Sequence, residues 1–219
     1  MSLNSNVNQY PALSAFRSSV AVIKRHHRPY VVINVLFYGL IIAGSVVSAV
    51  HPPLQKDLLA SLQSEFERGT LAPVAEAYRS GNVASAALQT FWVNSVIGAF
   101  ASITLPSALI PFSGCPIGLY RAVLWGLALS PANRTLRLAM IPHSLTLVLE
   151  GQAYVLALFG CYLWGKWVLS PSRSGFSTAR QGYLAGLRAN LRLYSLILSF
   201  LAVAAVYEAV EVIAMRSLL

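Results

Sequence analysis

The feature that most limits what this chain can fold into is a stretch without a single charged side chain, Tyr30 to Val50. As a helix rising about 1.5 Å per residue it reaches about 30 Å, the thickness of a bilayer's hydrocarbon core. Further apolar runs follow at about Ala86–Leu105, Gly118–Ser130, Leu138–Trp164 and Leu193–Ala214. Only 11% of the 219 residues are charged and 56% are hydrophobic, too little charge to cover a soluble domain of this length. In lipid each backbone amide must be satisfied inside its own segment or a closed barrel, and long apolar runs choose the helix. The fold class expected is therefore all-α: a polytopic membrane helix bundle of about five transmembrane helices, with amphipathic interfacial helices. The third run is the short one. It either extends back through Pro116, tilts inside protein or is re-entrant.

Two parts follow: a basic arm over 1–29 and a bundle over 30–219, with a helical segment over 51–87 between spans one and two. The stretch Ser2–Gln9 is polar and expected to be loose. Leu13, Phe16, Val20 and Ile23 recur at helical spacing and predict an amphipathic surface helix. Tyr30–Val50 is too long for a signal-peptide core, and His51-Pro52-Pro53 ends it. Leu54, Leu58, Leu62 and Phe66 recur every fourth residue and predict an amphipathic helix stopping at Gly69. A short helix is expected over Pro73–Tyr78, and Asn82 is placed to cap the second span. Pro106 and Pro111 are expected to break that span. Lys166–Arg192 reads as a basic loop.

The net charge of +9 does not form a nucleic-acid surface, because the basic residues flank apolar segments. Arg17, Lys24, Arg25 and Arg28 before span one, and Lys166, Arg173, Arg180, Arg188 and Arg192 after span four, come without acids. The positive-inside rule places both flanks in the cytoplasm. An even number of crossings must separate them, so the short third run is expected to cross. The C-terminus and the segment 54–87, with four of the seven acidic residues, then lie outside.

Ionisable or amide side chains in hydrocarbon are costly and mark pairing or function. Here they are Asn94, Arg121, His143, Glu150, Glu208 and Glu211. His143 and Glu150 lie two turns apart on one helix face, and Arg121 on the preceding helix suggests an ion pair with Glu150. Their plainest role is to hold the bundle together; a proton relay, ion path or substrate site is the alternative. No H-E-x-x-H, G-x-S-x-G or glycine-rich phosphate motif is present, so no enzyme and no cofactor is expected. Cys115 and Cys161 suit small core residues rather than a disulfide or metal, and His26-His27 belongs to the basic collar near lipid headgroups.

Phe91-Trp92-Val93-Asn94-Ser95, Ser113-Gly114-Cys115-Pro116-Ile117-Gly118, Ile141-Pro142-His143-Ser144 with Glu150 beyond, and the glycines at 160 and 165 together resemble the stage II sporulation protein M family. The likeness of layout covers about residues 13–214. Ser113 stands where that family has asparagine, Ser144 where it has glycine, and Glu150 lies further from its histidine. The resemblance carries over to Asn94, Gly114, Gly118, Pro142 and His143. It implies a membrane scaffold of a bacterial cytoplasmic membrane that recruits or anchors envelope proteins, with homo-oligomers allowed and no catalysis. Leu58, Leu62 and Phe66 would then be the docking surface for a membrane or envelope protein partner. The alternative expectation is a permease or transporter subunit using the Arg121, His143 and Glu150 cluster.

Overall fold

The computed structural model describes residues 11–132 and 134–216. The stretch 2–9 and the side chain of Leu13 lie outside the described residues. The described residues are helical apart from short turns, with no strand among them. Helix α1 (Pro11–Arg25) leads through His26 into α2 (His27–Val50). After His51 come α3 (Pro52–Arg68) and the short α4 (Ala72–Arg79). Next runs a continuous rod of α5 (Val83–Trp92), a π-helical segment (Val93–Thr104) and α6 (Leu105–Leu109). Helices α7 (Gly114–Ala128), α8 (Arg134–Leu169) and α9 (Ala179–Arg216) complete the bundle.

Four of these rods are long and apolar enough to cross a membrane: His27–Val50, Val83–Leu109, Leu136–Leu169 and Ala179–Met215. The chain is thus a helical membrane protein. At 15 residues, α7 spans only about 22 Å and falls short by length alone. It nonetheless joins opposite ends of the bundle. Its start packs beside Ile103 and Ser107, while its C-terminal carbonyls are held where α2 passes into α3. Ser45 Oγ donates to Gly126 O (3.1 Å), Ser48 Oγ to Leu127 O (2.7 Å), and Gln55 Nε2 to Ala128 O and Ser130 O (3.0 and 3.2 Å). These side chains satisfy carbonyls that a helix end otherwise leaves open, so α7 can end inside protein.

Helix α8 is the central post. From Ala153 to Gly160 its side chains are all buried, among them Tyr154, Leu156 and Phe159. Small residues bring the other helices close. A Cβ on Gly126 would collide with the Ile41 carbonyl, and one on Gly44 would sit 2.8 Å from Val123 O, so α2 and α7 touch backbone to backbone. A polar ladder also ties α2 to α8: Tyr30 OH donates to Gln152 Oε1 (2.8 Å), and Gln152 Nε2 donates to Asn34 Oδ1 (2.8 Å) and Tyr38 OH (3.0 Å).

Gly69 does end α3, and Asn82 Oδ1 does cap α5, accepting from Ser85 N at 3.0 Å. Other expectations need correction. The basic stretch 166–192 is mostly helix, because α8 runs to Leu169 and α9 begins at Ala179. Gly182 and Gly186 let α9 press against Trp167 and Trp164, so packing extends the helix where hydropathy falls. Pro106 does not end its span; it sits where the π segment passes into α6, and the rod continues to Leu109. Gly114 and Gly118 lie within α7 at close approaches to Ile103 and Leu158. Helix α1 forms as expected; it buries Ser19 and Val22 against the bundle, packs on α9 and leaves Phe16 exposed.

The two basic flanks meet at one end of the bundle. His26 sets its ring against Trp167 (5.6 Å between centroids), and Ser19 Oγ donates to the Arg192 carbonyl. Helices α3 and α4 cap the opposite end, where Ala77 of α4 packs with Ala86, Ala87 and Ala209.

Candidate functional site

Beneath the α3–α4 cap lies a cavity of about 880 Å³. One wall is Leu58, Leu62 and Phe66, the stripe read from the sequence as a docking surface. The opposite wall carries Asn94, Arg121, His143 and Glu150, the polar residues placed in the hydrocarbon. Two features that looked separate in the sequence thus face one space.

The polar wall is built from four elements. The π segment presents Asn94, α7 presents Arg121, α8 presents His143 and Glu150, and α9 presents Glu208, while Tyr154 of α8 and Glu211 of α9 lie buried behind them. In the π segment Ser102 and Thr104 return their hydroxyls to carbonyls five residues back, Ile97 O and Ala99 O, matching the widened register.

Arg121 and Glu150 do not pair directly. A chain of hydrogen bonds joins them instead. Arg121 Nη1 donates to Tyr154 OH (2.6 Å), Tyr154 OH donates to Asn94 Oδ1 (3.1 Å), and Asn94 Nδ2 donates to Glu150 Oε1 (2.5 Å). The guanidinium also lies over the Tyr154 ring, 4.7 Å from its centroid. Gly98 leaves the room for this pair: a Cβ there would meet the Tyr154 hydroxyl and sit 3.0 Å from Arg121 Nη1. Tyr154 reads in the sequence as an ordinary core aromatic. The signal it offered was its position one turn after Glu150, on the same face.

His143 belongs to a second group. Its Nδ1 lies 3.3 Å from Glu211 Oε1, and Thr146 Oγ1 donates to Glu211 Oε2 (3.2 Å). The neighbouring Pro142 carbonyl accepts from Tyr207 OH (3.1 Å). Tyr78, descending from the cap, donates to Glu208 and exchanges a hydrogen bond with Thr90 (3.0 Å). Burial, with Glu208 alongside, pushes the Tyr78 hydroxyl above the usual phenol range, so it stays protonated and able to donate. Gly114 and Gly118 take no part in the cavity; they serve helix contact. No group of His, Cys, Asp and Glu among the described residues is arranged to hold a metal.

Fold and site together define an all-helical membrane protein with a cavity that is mostly apolar on its cap side, where Glu65 is the exception, and charged at its floor. No family model, curated protein or solved structure matches the chain.

Proposed function

We propose that the chain is the membrane-embedded, ligand-binding subunit of a permease or transporter, and that its ligand occupies the cavity between the α3–α4 cap and the polar floor. The observation behind this is the shared cavity: Leu62 and Phe66 on one side, Arg121, His143 and Glu150 on the other. Charged groups at membrane depth line pathways or pair with one another, and here Glu150 does so without an arginine or lysine in direct contact. The positive flanks at the His26–Trp167 end give that end to the cytoplasm, with five crossings, α7 included, and the cap outside. The test is flux in proteoliposomes under proton, sodium and potassium gradients. Wild type is expected to carry a pH-dependent flux that Glu150→Gln removes; no flux under any gradient rejects the reading.

A second reading is the scaffold that the stage II sporulation protein M resemblance implies. It is favoured by the incomplete cover of the stripe, since Leu54 and Phe66 stay 44% and 38% exposed. Under it, replacing Leu58, Leu62 and Phe66 by serine abolishes recovery of crosslinked envelope proteins from native membranes while insertion persists.

A further inference from the structure

We infer that the cavity takes a membrane-resident amphiphile with a cationic head, an aminium or quaternary ammonium group on an alkyl tail; this rests on the cavity being a ligand site. Charge is the first argument. Three carboxylates line the space, Glu65, Glu150 and Glu208, against one guanidinium and the His143 imidazole, which is turned to Glu211. That guanidinium is engaged by Tyr154, both through its hydroxyl and over its ring. The ion pair found among the described residues is His143–Glu211, so neither Glu150 nor Glu208 has a basic side chain in contact. A positive head at the floor would give both carboxylates the counter-charge that a low-dielectric site demands.

The aromatic lining is the second argument. Phe66 and Tyr78 on the cap side, and Tyr120 and Trp125 on α7, border the same space. Aromatic faces beside carboxylates attract alkylammonium groups and gain nothing from an anion. The cavity also offers an apolar path beside its floor. Ile97, Ile117 and Tyr120 line it and are 45%, 40% and 62% exposed, with Leu58 and Leu62 lining the same space. An alkyl tail can lie along these side chains while the head reaches Glu150.

The test uses the full chain in dodecyl maltoside and a photoreactive dodecyl trimethylammonium probe, with unlabelled dodecyl trimethylammonium and dodecanoate as competitors. The expected result is labelling of peptides from α3 or α7, displaced at about tenfold lower concentration by the cation than by the anion, which is about 1.4 kcal/mol. Glu150→Gln with Glu208→Gln should erase that difference, with the melting temperature checked so that misfolding is not mistaken for lost binding. Leu62→Trp, which fills the space, should suppress labelling. If dodecanoate competes as well as or better than the cation while Leu62→Trp still blocks labelling, the cationic class is overturned and the ligand cavity stands. If the probe labels other regions, or Leu62→Trp changes nothing, both fall.

Discussion

At the scale of single residues, Tyr154 decides how the polar floor holds together. Its hydroxyl both accepts from Arg121 and donates to Asn94, and it is fully buried. Tyr154→Phe keeps the ring and removes that one oxygen, leaving a guanidinium donor and an amide acceptor without their partner. The expected loss is about 1–3 kcal/mol of stability, read as a lower unfolding midpoint in detergent. Asn94→Ala attacks the next link, so the double variant should lose less than the sum, by about 0.5–3 kcal/mol. Strict additivity would mean that the hydrogen bonds do not act as a chain. The rarity of charge in apolar runs made Asn94, Arg121, His143 and Glu150 readable from sequence. Which of them meet was not readable, because a seven-residue spacing fixes a shared face and not a partner: His143 turns to Glu211 and Glu150 to Asn94.

At the scale of elements, the crossing of α2 and α7 depends on two glycines. Gly126→Val places its side chain against the Ile41 carbonyl and must push the helices apart. Loss of the Ser45 and Ser48 bonds to α7 should follow, seen as faster hydrogen exchange at the end of α7 than in wild type. The α1–α2 junction adds a pH effect. Burial first, then Arg25 and Lys166, hold the His26 imidazole below its ordinary range. The docked state prefers neutral His26, so its stability is present above about pH 6.5 and declines as pH falls from there toward the lowered value. Trp167 fluorescence should report α1 loosening on acidification, and His26→Gln should flatten the change. Local signals such as the Asn82 cap and the Gly69 stop were legible because they act within one turn. The helical start of α9 was not, since Gly182 and Gly186 earn their meaning only beside Trp167 and Trp164.

For the whole molecule, apolar length showed a helical membrane protein, and four rods meet that criterion in the structure. The short α7 does not meet it, and its last carbonyls are satisfied by neighbours, Ser48 and Gln55 among them. With Cys115 and Cys161 replaced by alanine, single cysteines at Asn82 and Arg180 should react with an impermeant reagent from opposite faces of the membrane. Reaction from the same face would remove the odd crossing assigned to α7. The clasp of Gln55 on Ala128 and Ser130 also sets where the roof over the cavity can move. Its root is riveted to α7, and Val74 and Ala77 bed the far side into the bundle. With both edges held, any movement must be greatest between them, over the exposed end of α3 that leads to Gly69. A spin label at Ser64 would travel on ligand uptake while one at Lys56 stays put.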